Sequence, residues 1–115
     1  MSTECIFCKI IAGSLTSNIV HEDNKILAFE DVNPQAPVHH LIVPKEHIPT
    51  INDLLTEHNE LIGQLFQVAK TLAKKHHIAE NGYRVVMNCN EKGGQAVYHI
   101  HLHLLGDRQM HWPPG

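Results

Sequence analysis

The sequence predicts an α+β domain built on a mostly antiparallel five-stranded sheet, with one long helix and one short N-terminal helix. Three observations predict it. One stretch of about twenty residues keeps helical apolar spacing. Five short apolar runs are separated by turn residues. No segment repeats and none is of low complexity, so 115 residues read as one domain, 1–115, with 106–115 as a C-terminal tail.

In chain order, Cys5 to Ile11 reads as the short helix, stopped by Gly13. Asn18 to Val20 and Lys25 to Phe29 read as strands joined by the turn Glu22-Asp23-Asn24. Asp31 to Pro37 reads as a loop, because Pro34 and Pro37 cannot serve a regular ladder. His39 to Val43 is the next strand, ended by Pro44. The long helix is expected from Thr56, as N-cap with Glu57 in the first turn, to about His77. Its stripe is Leu61, Leu65, Val68 and Leu72, widened by Ile62, Phe66 and Ala69, and Lys74, Lys75, His76 and His77 suit its C-terminal dipole. Gly63 costs this helix about 1 kcal/mol relative to alanine. It reads equally as a point of close helix approach or as a tolerated glycine. Asn81-Gly82 is a turn, Tyr83 to Asn88 a strand, Asn90 to Gln95 a loop, and Val97 to Leu105 the last strand.

Nine basic against 12 acidic residues give a net charge of −3. Nucleic acid held by charge is therefore not expected, since phosphate backbones need a basic patch. Met1-Ser2-Thr3-Glu4 has no basic n-region leading into an apolar run, and no stretch approaches the ~20 apolar residues of a membrane span. Three cysteines without an export signal suggest a reducing cytoplasm. Cys5 and Cys8, three apart, put two thiols on one helix face, a frequent half of a tetrahedral zinc site. A reduced thiol pair and a redox pair remain open. Cys89 stands alone.

Histidine is the unusual component, with 11 copies. His99-Ile100-His101-Leu102-His103-Leu104 alternates imidazole with aliphatic side chains. On a strand the three rings share one face, ~6.6 Å apart, with the aliphatic residues on the other. A half-exposed strand, a metal site and a nucleophile all remain readings. Three histidines in register favour chemistry, with His101 attacking phosphorus or acyl carbon through one ring nitrogen. The other nitrogen needs an acceptor to hold the tautomer, and a carbonyl of the same strand can supply it. Gly93-Gly94 upstream offers backbone N–H groups suited to phosphate oxygens, or serves only as a hairpin loop.

The run His99 to Leu105 resembles the signature of the histidine triad superfamily, His-φ-His-φ-His-φ-φ with φ apolar. Pro34-Gln35-Ala36-Pro37-Val38-His39, Pro44-Lys45-Glu46-His47-Ile48, Gly93-Gly94-Gln95-Ala96-Val97-Tyr98 and Gln109-Met110-His111-Trp112-Pro113-Pro114-Gly115 resemble its purine nucleoside phosphoramidase branch. The resemblance implies a homodimer with one sheet running across both copies. It implies hydrolysis of adenosine or guanosine 5′-monophosphoramidates to nucleotide and amine through a nucleotidyl-His101 intermediate. It assigns His103 and His39 to phosphate binding and proton movement, and adds His99 as a further catalytic histidine.

The same resemblance places Asn88 by the phosphate or ribose and Asp31 on the ribose hydroxyls. Gly94, Gln95 and Ala96 fall at the phosphate. Ile6, Phe7, Ile10, Phe29, Val32 and Leu41 would line the base pocket, although each also reads as plain core. Trp112 matches a C-terminal tryptophan that approaches the partner's site, against the alternative of an irregular tail. Some bacterial members hold a structural zinc through residues matching Cys5, Cys8, His47 and His99. No magnesium is required by this chemistry. Ala96 departs from the branch, which commonly has serine there, and the lost hydroxyl bond is worth ~1.5–3 kcal/mol. A dinucleoside polyphosphate hydrolase or nucleotidyl transferase of the same superfamily, and a nucleotide-binding regulator with weak turnover, are the alternatives.

Overall fold

The computed structural model describes residues 4–115; Met1 to Thr3, read above for an export signal, lie outside the described residues. Helix α1 spans Ile6–Ala12 and α2 spans Asn59–Lys75. The strands are β1 Ile19–Glu22, β2 Ile26–Glu30, β3 Val38–Pro44, β4 Tyr83–Val86 and β5 Leu102–Gly106. They form one sheet in the order β1-β2-β3-β5-β4, with every neighbouring pair antiparallel. No helix among the described residues is long and apolar enough to cross a membrane.

The expected elements are present, with shifted ends. The first hairpin turn is made by Asp23, as expected, but Glu22, read as part of the turn, belongs to the strand before it. Asp23 Oδ1 accepts the backbone N–H groups of Lys25 and Ile26 at 2.8 and 2.9 Å. β1 therefore runs on through Glu22. Pro44 ends β3 from inside, opposite Ile26 in the ladder. Thr56 is not the cap of α2. It opens a 3₁₀ turn, Thr56–His58, that leads into the helix. The His58 ring lies there instead, accepting the Leu55 N–H at 2.9 Å and pairing with Glu46 at 3.0 Å. A further 3₁₀ turn, Ile51–Asp53, is capped by Thr50 Oγ1, which accepts the Asn52 N–H at 3.1 Å.

The apolar stripe of α2 packs one sheet face. Leu65, Val68, Ala69 and Leu72 meet Ile26, Ala28, Ile42, Leu102 and Leu104. On the opposite face Cys5 and Phe7 from the first helix meet Leu27, Phe29, Leu41 and Val43. The alternation along β3 sorts its residues between the two clusters, as the two-residue strand period requires.

β4 is shorter than expected, leaving Asn88 beyond the ladder. β5 is shorter too. Only His103 of the three histidines lies within it, and His99 and His101 precede its first residue. The cause is the pairing. β5 bonds to β3 only as far as Leu102 opposite Ile42. Upstream, Ile100 N–H turns to Ile48 O at 2.8 Å, on the segment that follows β3.

Candidate active site and metal centre

Losing the ladder does not lose the row. Ile100, Leu102 and Leu104 are all buried, and the three histidines face the side of Phe7 and Leu41. His101 is 7% exposed. Its Nδ1 lies 2.7 Å from His99 O, and a carbonyl can only accept, so Nδ1 carries the proton. The Nε2 lone pair is then the ring's free, basic nitrogen. Phe7 stands edge-on to this ring, 5.0 Å between centroids and at 90°. Burial pushes His101 below the usual histidine range, which keeps the ring neutral and nucleophilic near pH 7.

His103 and His39 are joined across the sheet. The backbone N–H of Gln35 donates to His39 Nδ1 at 2.9 Å, so the His39 proton is on Nε2. That Nε2–H donates to His103 Nδ1 at 2.9 Å. His103 must then carry its own proton on Nε2. The His101 and His103 rings sit 4.9 Å apart. Burial lowers both partners, His103 to about 4, against a smaller upward push from the Asp31 carboxylate. Asp31 Oδ2 lies 3.4 Å from His39 Nε2. Asp31, His39 and His103 also group as potential metal donors. The Gln35 N–H opposes that, because it keeps the inward His39 nitrogen protonated.

His99 is placed differently from its two companions. Its Nε2–H donates to Pro44 O at 2.7 Å, which leaves the Nδ1 lone pair facing Cys5 Sγ at 3.5 Å, Cys8 Sγ at 3.6 Å and His47 Nδ1 at 3.1 Å. His47 Nδ1 also lies 3.3 Å from Cys8 Sγ. All four donor atoms fall within 4.8 Å of one another. A tetrahedral zinc with two sulfur and two nitrogen ligands has edges of about 3.3–3.8 Å, so the donor set and its spacing fit that ion. Cys5 is not inside the helix but is its N-cap, with Sγ accepting the Cys8 N–H at 3.3 Å. Burial and the neighbouring Cys5 push the Cys8 thiol up to about 11, and a divalent cation supplies the charge that would reverse this.

The loop carrying Gly93, Gly94, Gln95 and Ala96 departs from the expected phosphate cradle. Gly93 and Gln95 donate their N–H groups to Asn90 O, and Gly94 donates to Glu91 O. Gly94 takes φ +84°, a conformation that residues with a side chain rarely adopt, and closes a 3₁₀ turn, Glu91–Gly93. The Gln95 amide is occupied as well. It donates to Pro49 O and Val97 O and accepts from the Asn90 N–H. The glycine pair, expected to offer open N–H donors, thus spends them inside its own turn, and Gln95 staples the loop.

Of the expected base-pocket residues, Phe7, Phe29 and Leu41 are buried in one cluster, with Ile10 half-buried against it. Val32 stands out at 94% exposure beside Asp31, and Ile6 is turned to solvent. Asn88 is half-buried beyond β4. Trp112 is 83% exposed, although Arg84 anchors the tail through His111 O at 2.9 Å. Sequence reasoning missed Gln35 and Arg108. Arg108 Nε donates to Gln35 O at 2.9 Å and so steadies the residue whose N–H sets the His39 tautomer. A lone arginine after the last strand carries no local signal of that contact.

A family model described as "Scavenger mRNA decapping enzyme C-term binding" matches residues 4–112. The purine nucleoside phosphoramidase of Escherichia coli K12 is 50% identical over 110 residues, 96% of this chain and 92% of the relative. A 14 kDa zinc-binding protein of maize is 52% identical over 117 residues, covering 96% of this chain and 87% of the relative. The crystal structure of a HIT family hydrolase from Legionella pneumophila superposes with a TM-score of 0.96 at 55% identity, covering 97% of this chain and all of that one.

Proposed function

The chain belongs to the histidine triad family, and from that premise we propose that it hydrolyses purine nucleoside 5′-monophosphoramidates. The observation that carries the reading is the tautomer of His101, whose protonated Nδ1 is held by His99 O and whose Nε2 is left as a lone pair. The name of the E. coli relative supports a phosphoramidate as substrate, and the Legionella structure supports a hydrolase.

In this reading His101 Nε2 attacks the α-phosphorus as the P–N bond to the amine breaks. The departing nitrogen takes one proton from the His39–His103 pair, which has been charged by binding together with the anionic substrate. Water then attacks the nucleotidyl-His101 phosphorus, the P–N bond to His101 breaks, and the proton of water returns to the pair. His103 Nε2–H donates to the phosphoryl oxygens. Asp31 takes the ribose hydroxyls, Asn88 lies by the phosphate or ribose, and the Phe7, Ile10, Phe29 and Leu41 cluster backs the base, with Val32 closing over it. Gly94, Gln95 and Ala96 shape the phosphate edge rather than donate to it, apart from any contact of the Ala96 backbone. Trp112 reaches a partner subunit. The dimer joins at an unpaired sheet edge, for which β4 is available.

Cys5, Cys8, His47 and His99 would hold zinc, as the donor geometry and the name of the maize relative support. Bound there, zinc is structural, since four protein ligands leave no position for water. His99 then acts on the chemistry only through its carbonyl. The absence of a basic excess supports a small nucleotide over nucleic acid, and the cysteine content a cytoplasmic setting.

The test compares an adenosine phosphoramidate with a diadenosine polyphosphate, using His101→Ala and His101→Gly. Nucleotide binding is expected to persist while turnover of the phosphoramidate falls at least about a thousandfold, or about 4 kcal/mol of barrier. Unchanged turnover removes His101 as nucleophile. Faster cleavage of the dinucleotide moves the chain to another branch of the family.

A further inference from the structure

The two oxygens of Asp31 have different occupations. Oδ1 accepts the N–H of Asn33 at 2.9 Å, which holds the carboxylate in the loop between β2 and β3. Oδ2 points at His39 Nε2, 3.4 Å away. The same Nε2 carries the proton that His39 shares with His103 at 2.9 Å. That proton is hydrogen-bonded to the neutral His103 ring, with the anionic Oδ2 close by as a charge rather than as its acceptor. The backbone of Gln35 fixes the far side of the ring, with its N–H on Nδ1 and its carbonyl tied to Arg108.

We propose that Asp31 is a positioning residue for the His39–His103 pair: its Oδ2, 3.4 Å from His39 Nε2, supplies the negative charge that holds on the pair a proton it takes up. This goes beyond the ribose contact of the proposed function, and rests on that reading only for the step in which the proton is used. Asp31 is the carboxylate that acts on both rings of the pair. Arg108 acts on His39 with the opposite sign, and His101 faces His103 as a neutral ring. Asp31 opposes the desolvation of His39 and of His103 alike. A buried pair of imidazoles that must carry a proton for part of a cycle needs such a counter-charge, because burial disfavours the cation.

Ribose binding and positioning separate on a substrate without ribose hydroxyls. Wild type and Asp31→Asn are compared on adenosine 5′-phosphoramidate and on its 2′,3′-dideoxy counterpart, across pH. Asparagine keeps an acceptor for the Asn33 N–H, so the loop is retained. The expected result is a fall in kcat of about tenfold on both substrates, with a rise in KM confined to the ribose-bearing one. Equal kcat for variant and wild type on the dideoxy substrate reduces Asp31 to a ribose ligand. Imidazole nitrogen NMR of the same proteins decides the point without turnover. His39 and His103 are expected to titrate at a pH lower by about half a unit or more in Asp31→Asn. Unmoved titrations overturn the proposal. Should neither substrate turn over in wild type, the phosphoramidase reading fails and the ring titrations still judge the role of Asp31.

Discussion

In the proposed mechanism His101 attacks through Nε2, and that nitrogen keeps its lone pair because one neighbour accepts the proton on Nδ1. The His99 carbonyl, two residues upstream, holds Nδ1–H, and the sequence spacing already made such a contact available. The His39–His103 tautomers were not legible in the same way, since they depend on a peptide N–H from Gln35 and a contact across the sheet. Gly106 shows a different dependence at this scale. A Cβ built there would meet Ile78 Cδ1 at 2.5 Å and Ile78 Cβ and Cγ2 at 3.2 Å. Ile78 is buried in the core beneath the end of β5, so it cannot swing away without moving its neighbours. Gly106→Ala is expected to cost about 1–3 kcal/mol, measured by urea unfolding. A variant as stable as wild type would show that Ile78 has room to move.

Helix α1 is too short to hold itself, since isolated helices of this length are marginal in water. It is fixed through Cys5 as N-cap, Cys8 in its first turn and Phe7 in the core. Phe7 in turn stands against both His99 and His101. A metal on Cys5, Cys8, His47 and His99 would thus clamp the helix that walls His101. Protein purified without added metal is expected to contain about one zinc per chain. Chelation is expected to lower Tm by several degrees, at about 4 °C per kcal/mol. It should also raise amide exchange in Ile6–Ala12 before that of β3 and β5. Metal-free protein with full stability, and unchanged exchange in that helix, would end the idea. At this scale the pattern foretold that each helix and strand exists, while their ends were set by contacts: the Asp23 turn, the His58 ring and the bond from Ile100 to Ile48.

The whole molecule is a sheet between α2 on one side and α1 with the histidines on the other, and its response to acid follows from what the sheet buries. Burial lowers His39, His40 and His103 from the ordinary value near 6.5, the last to about 4. His40 points to the opposite side from His39, edge-on to His76 at 4.6 Å, and its Nδ1 has no hydrogen-bond partner among the described residues. As pH falls below about 6.5 the unfolded chain takes up protons that the folded chain refuses. Stability is therefore full above that pH and declines as pH falls toward about 4. Tm measured from pH 7.5 to 4.5 is expected to fall steadily across the lower two units. A flat profile would mean that these rings are as easily protonated folded as unfolded.

By itself the sequence determined the elements, the side of the sheet on which the signature histidines lie, and the set of residues that could meet. Periodicity of two or 3.6 is a local property, and it survives any tertiary context that buries one face. Tertiary structure alone decided that the His99 Nε2–H is spent on Pro44 O, so that its Nδ1 is the nitrogen facing the cysteines. It also decided that the glycine turn consumes its own donors, and that Arg108 and Gln35 stand behind His39. Those outcomes depend on which donor reaches which acceptor within about 3 Å, and chain order does not encode that distance.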